Sequence, residues 1–146
     1  MTPDHVRVSS EVFRSFSFDG DLMSKLLFIG LAGFFGTLTR YWVSGIVARR
    51  YGETFPAGTL VVNLFGCFLV GLLFYVLQER FPANQTVQAV ILIGFLGGFT
   101  TFSSFGLQTF ALLQEREVGL AFLNFGIANA GGLLLVWAGY TLGKAF

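Results

Sequence analysis

The charges of this chain are confined to a few short intervals, and that placement constrains the fold more than any other feature. No Asp, Glu, Lys or Arg occurs from Thr54 to Gln78, from Phe81 to Gln114, or from Val118 to Gly143. A fourth stretch, Leu26 to Ala48, is apolar apart from Arg40. A helix of about 20 apolar residues crosses the ~30 Å hydrocarbon core of a bilayer, so each stretch is long enough for one span. The pattern predicts an all-α membrane protein with four transmembrane helices, over about 26–48, 58–78, 87–113 and 118–142. The connections between them, 49–57, 79–86 and 114–117, are short and hold most of the remaining charge.

Composition narrows the function classes. The chain is 54% hydrophobic and 12% charged, against about 25% charged in average globular chains, so a disordered chain is excluded and a water-soluble enzyme is disfavoured. A net charge of +1 without a dense Lys/Arg block leaves no footprint for nucleic acid. The one cysteine, Cys67, has no internal disulfide partner, and the one histidine, His5, cannot build a metal site. No nucleophile–base pair is apparent, so the chain does not read as an enzyme. Residues 1–22 differ in kind. They mix charges with serines, lack the layout of a signal peptide, and read as a disordered extension or a start placed too early. Residues 23–146 then form the four-helix membrane domain.

With four spans both termini lie on one side of the membrane. Arg7, Arg14, Lys25, Arg80 and Lys144 face that side, and Arg40, Arg49, Arg50 and Arg116 face the other. Orientation follows the asymmetry of Lys and Arg across the membrane, and five against four is nearly no asymmetry. Such a chain can insert both ways, which permits an antiparallel, dual-topology homodimer. Inverted repeats give many transporters the same symmetry; no repeat is visible here, so it would come from two copies.

No Asp or Glu lies inside any predicted span. Intramembrane carboxylates mark proton relays and cation-coupled transport, so a lining of neutral donors, which suits an anion, is the alternative. The third span supplies such donors in Gly97-Gly-Phe-Thr-Thr-Phe-Ser-Ser-Phe105. Gly97 and Gly98 loosen the backbone, while Thr100, Thr101, Ser103 and Ser104 compete with it for hydrogen bonds, predicting a helix break near 97–101. Freed carbonyls there could hold a cation, and a helix N-terminus starting there would favour an anion. Phe102 and Phe105 share one face of the following half-helix, and phenyl ring edges are positive. The plainer reading is packing, with hydroxyls bonded back to their own helix. Asn63 in the second span and Asn129 in the fourth each offer amide donors, for an ion or for an interhelical hydrogen bond. Arg40 either snorkels to the interface or sits in an anion-concentrating vestibule.

These motifs resemble the small four-helix fluoride channels of bacteria, the Fluc or CrcB family, over about residues 23–143. The third-span segment Gly97–Phe105 looks like the family's third-helix signature. Gly33-Phe-Phe-Gly-Thr-Leu-Thr-Arg-Tyr41 and Gly58-Thr-Leu-Val-Val-Asn63 are similar to its first- and second-helix signatures. The resemblance implies an antiparallel homodimer in the bacterial inner membrane with two pathways for passive fluoride export. It implies that Phe102 and Phe105 line the pathway with ring edges, and that Asn63, Thr101 and Ser104 donate to the ion. Asn129 would continue a polar track and Arg40 would lie near the vestibule. Carbonyls of Gly97 and Thr100 from both subunits would hold a structural sodium ion at the dimer centre.

The chain departs from the family pattern in carrying Gln108 where Glu is usual, and Phe125 and Asn129 where a Tyr and a Ser four residues later are usual. These changes bear on transport rate and on whether the partner is a second copy or an unlike subunit. The rival readings are a small multidrug or guanidinium exporter, which needs a membrane carboxylate, and a non-conducting structural subunit of a heterodimeric channel.

Overall fold

The computed structural model describes residues 22–52 and 54–145. The extension expected over 1–22 lies outside the described residues except for Leu22, which opens the first helix. Four helical spans follow in order: α1 (Leu22–Tyr51), α2 (Ala57–Arg80), a third span over Gln85–Gln114, and α5 (Val118–Ala145). The third span is two helices in line, α3 (85–99) and α4 (Phe102–Gln114), separated by Thr100 and Thr101. Each span runs a few residues beyond the apolar stretch that predicts it, because polar ends such as Arg49, Arg50 and Lys144 continue the helix into the headgroup zone.

Three of the spans contain a wide turn that the sequence does not announce. Val76–Arg80 ends α2, Ala89–Phe95 occupies the middle of α3, and Ile127–Gly131 interrupts α5, each with π-helical bonding. Such turns shift the helix face by a fraction of a turn and gather at functional sites.

The spans pack on glycines. Both Gly71 of α2 and Gly139 of α5 sit against the other helix's backbone, and a Cβ on either would run into the carbonyl of Val136 or of Phe68. Without a hydrophobic force between helices in lipid, such backbone contact is what holds a membrane bundle together. α1 crosses α3 in the same way, with Gly36 against the Phe95 carbonyl and Gly98 against that of Gly33. Gly30 and Gly126, by contrast, face open space in the single chain.

The core is small and sits beside the break. Val62, Leu96 and Phe99 are buried together, with Val43, Leu69, Leu92 and Phe95 against them. Most other large apolar side chains are exposed, among them Phe34, Phe35, Tyr41 and Trp42 on α1. Only lipid or another protein surface accommodates so much exposed apolar area, and the four spans make this a multi-pass membrane protein.

The hairpin between α4 and α5 is closed by a three-residue turn. Arg116 takes a positive φ of 64°, and the N–H groups of Arg116 and Glu117 return to the carbonyls of Leu113 and Leu112. At the start of α3, Asn84 caps the helix through the N–H of Val87 at 2.9 Å.

Candidate functional site

The break in the third span is made by a residue from another helix. Asn63 of α2 donates from Nδ2 to the Thr101 carbonyl at 2.9 Å, and its Oδ1 accepts the Thr101 N–H at 2.8 Å. The side-chain amide thus pairs with the Thr101 peptide groups as a neighbouring strand would, and Thr100 and Thr101 are both extended (ψ 159° and 116°). Polar backbone at membrane depth must be satisfied by protein or water, and Asn63 satisfies it here.

The two helix ends at the break are capped by threonines. Thr100 returns both its N–H (2.9 Å) and its hydroxyl (3.0 Å) to the Leu96 carbonyl, closing α3. Thr101 caps α4, its Oγ1 accepting the Ser104 N–H at 3.3 Å, donating to the Ser104 hydroxyl at 3.1 Å and standing 3.3 Å from the Ser103 hydroxyl. Arg40 reaches from α1 to the same place. Its Nε donates to the Gly98 carbonyl at 3.2 Å, and Thr37 Oγ1 approaches that carbonyl at 3.4 Å. Arg40 is therefore neither purely snorkelled nor purely a vestibule charge, since its guanidinium caps the negative end of α3.

Two carbonyls at the break lose their helical partners. The Thr101 N–H, which would close a turn onto the Gly97 carbonyl, goes to Asn63, and the Ser104 N–H, which would close one onto the Thr100 carbonyl, goes to Thr101 Oγ1. The Cα of Gly97 faces open space.

On the other side of the break the aromatic pair forms as the spacing predicts. The rings of Phe102 and Phe105 lie 5.4 Å apart, tilted by 48°. Their surroundings differ sharply: Phe105 is 7% exposed and Phe102 is 79% exposed on the outer face of the chain. Phe125 of α5 extends the aromatic row, with its ring 6.3 Å from Phe105. Asn129 does not join this group through its amide, which donates to the Phe125 carbonyl of its own helix at 2.7 Å. The structure thus gathers Asn63, Thr101, Ser104, Phe102 and Phe105 with Arg40, Gly97 and Thr100 around one point, and leaves Asn129 on an exposed helix face.

Residues that spacing did not single out also appear here. Asn124 of α5 is buried and donates to Thr109 Oγ1 at 2.8 Å. Gln108 has a buried Oε1 without a hydrogen-bond partner among the described residues, and the residue lines a cavity of about 420 Å³. Tyr41, Ser44, Arg49 and Thr59 share its wall. The cost of leaving an amide in lipid, the argument applied to Asn63, applies equally to Asn124 and would have found it.

Comparison with known proteins decides the family. Residues 27–140 match the model of the CrcB-like proteins, described as "Camphor Resistance (CrcB)". The chain belongs to the CrcB family. One relative, from Solidesulfovibrio magneticus, is 43% identical over 123 residues, covering 84% of this chain and 98% of its own length. Relatives from Hydrogenovibrio crunogenus (39% identical, covering 84% of this chain and 92% of the relative) and a Geobacter species (41%, covering 84% and 99%) match to a similar extent. All three carry the name "Fluoride-specific ion channel FluC". As a member of this family the chain is matched from within α1 to within α5, so both sides of the break lie inside the shared region.

Proposed function

We propose that this protein is a fluoride-selective ion channel of the bacterial inner membrane that lets F⁻ leave the cell passively and so relieves fluoride toxicity. The observation that carries the reading is the break itself: hydroxyls and an aromatic pair stand at the N-terminal end of α4, and the one carboxylate of the four spans, Glu79, lies at the extreme end of α2. Fluoride is small, strongly hydrated and a strong hydrogen-bond acceptor, so a site for it must replace water with donors. The Ser104 hydroxyl, which accepts the Thr101 hydroxyl proton and turns its own outward to the ion with Thr101 behind it, the positive end of α4 and the edges of Phe102 and Phe105 supply them. None of these is a full charge, which suits conduction: binding must be firm enough to admit the ion and weak enough to release it. A multidrug or guanidinium exporter needs a carboxylate at membrane depth, and the one in these spans, Glu79, is the penultimate residue of α2.

The working unit in this reading is an antiparallel homodimer of dual topology. Near-balanced Lys and Arg support it, as does the exposure of Phe102, since a conducting path lined by this ring needs a second surface opposite it. Two pathways would then run through the dimer. The oxygens of Gly97 and Thr100, released from helical bonding, are the hard donors a sodium ion takes. These residues would hold a structural Na⁺ between the copies, and the ion would fix the crossing of the two breaks.

Growth of a fluoride-sensitive bacterium lacking its own exporter tests the physiology. Expression of this chain should restore growth in fluoride at acidic pH, where HF enters. Failure to restore it by protein that reaches the membrane would contradict the proposal.

A further inference from the structure

The fourth span carries a polar side chain that the pathway above does not use. Asn124 is 2% exposed and is the buried polar side chain of the bundle among the described residues. Its Nδ2 donates to Thr109 Oγ1 at 2.8 Å, and that hydroxyl donates to the Phe105 carbonyl at 2.8 Å. The direction of this chain is fixed. A threonine has one hydroxyl proton, here given to Phe105, so Thr109 can only accept from α5.

Sequence position gives the bond its consequence. Thr109 lies one turn after Phe105 on α4, and Asn124 directly precedes Phe125 on α5. The short turn at 115–117 limits how α4 and α5 slide, and this interhelical hydrogen bond, a turn and a half or more from it on each helix, fixes the register and rotation at which the Phe125 ring meets Phe105, 6.3 Å away, and Phe105 in turn meets Phe102 at 5.4 Å. Apolar side chains facing one another in lipid have little to choose between registers, whereas a buried amide must find its acceptor. The surroundings are otherwise permissive. The wide turn Ile127–Gly131 begins three residues beyond Asn124, and an apolar hollow of about 190 Å³ lined by Thr109, Leu113, Ala121, Phe122 and Phe125 adjoins the bond.

We infer that Asn124 and Thr109 are positioning residues that hold the aromatic row Phe102–Phe105–Phe125 in conducting register. The inference rests on the fluoride-channel reading above, because the row matters only if an ion passes it. It assigns to this pair no contact with the ion.

The test uses Asn124→Leu, Thr109→Val and Thr109→Ser singly, and Asn124→Leu with Thr109→Val together, in full-length protein reconstituted in liposomes. Fluoride efflux and thermal stability are measured on each. Either single apolar variant should lose about tenfold or more in efflux rate, and Thr109→Ser, which keeps the hydroxyl, should stay near wild type. The double variant separates positioning from mere stability, since it leaves neither polar group orphaned. Its thermal stability should return toward wild type while its efflux stays low. Recovery of efflux along with stability would overturn the inference.

A second readout stands apart from transport: the ¹⁹F resonance of 4-fluorophenylalanine placed at position 105. It should be single in the unaltered background, and should shift or broaden in Asn124→Leu. An unchanged resonance would overturn the positioning role. If the unaltered channel released no fluoride, the fluoride reading would fall and this resonance would still decide whether the pair sets the ring.

Discussion

Asn63 and Thr101 are joined by two hydrogen bonds that run in opposite directions across the bundle, 2.9 Å from amide to carbonyl and 2.8 Å from N–H to amide oxygen. An amide side chain on α2 thereby takes the place of the helical turn that α3 and α4 do not make. The release of the Gly97 carbonyl from helical bonding follows from that substitution.

Replacing Asn63 removes both bonds at once. In Asn63→Leu the Thr101 N–H and carbonyl are left at membrane depth, and each orphaned group costs about 1–3 kcal/mol. The variant should unfold at a lower temperature in detergent and should lose most fluoride efflux. Asn63→Asp keeps the acceptor and loses the donor, so it should cost less stability than Asn63→Leu, while the added negative charge beside the path should repel fluoride and abolish efflux. Wild-type efflux from either variant would show that the break is held by something else.

The extent to which this arrangement is legible in the sequence differs by scale. The four spans follow from charge-free runs because the bilayer imposes one simple criterion, and the helices found extend those runs by only a few residues. That the third span breaks is readable from Gly97, Gly98 and the hydroxyl cluster. The break falls inside the expected 97–101, at Thr100 and Thr101; what the sequence does not show is that Gly97 and Gly98 stay helical and that the extended pair is held by a partner 38 positions earlier. Asn124 and Asn129 look alike as isolated amides in one apolar span. Packing alone separates them, with one bonded across to Thr109 and the other back to its own helix. The wide turns in α2, α3 and α5 leave no mark in hydrophobic period, because they are choices of bonding made by the assembled bundle.

Arg40 should prove to be an anchor for the break. A hydrogen bond to a charged donor is worth about 1.5–3 kcal/mol, so Arg40→Ala should lower thermal stability measurably. It also leaves the Gly98 carbonyl without its cation, so stability should depend more steeply on sodium than in wild type. Unfolding temperatures in sodium chloride and in N-methyl-glucamine chloride give the comparison. An equal sodium response in both proteins would rule out a shared electrostatic task.

The two phenylalanines of the site should separate by burial. Phe102→Ile changes a ring that is exposed in the single chain and should cost little stability, while Phe105→Ile alters the packed interior and should cost about 1–2 kcal/mol. Both should nearly abolish fluoride efflux, because an aliphatic side chain offers no positive ring edge. Efflux and thermal unfolding on the same preparations would check this, and an active Phe102→Ile channel would remove the ring from the pathway.

Glycine substitutions should divide in the same sharp way. A Cβ at Gly139 meets the Phe68 carbonyl, so Gly139→Ala should force α2 and α5 apart at a cost of about 1–3 kcal/mol or more. Gly126 meets nothing within 4 Å, so Gly126→Ala should be tolerated, and removal of a helical glycine favours the fold by about 0.5–1 kcal/mol. Unfolding temperatures in detergent would distinguish the two variants, and equal losses would contradict the crossing described for α2 and α5.

The most direct measurement is ion release from liposomes containing the purified wild-type protein, followed with a fluoride electrode and, in parallel, a chloride electrode. Fast fluoride release with chloride retained is the expected result, and it would establish that neutral donors and ring edges suffice even with Gln108 and Phe125 in the chain. Retention of fluoride by well-folded protein in sealed liposomes, or equal release of both ions, would contradict a fluoride-selective channel.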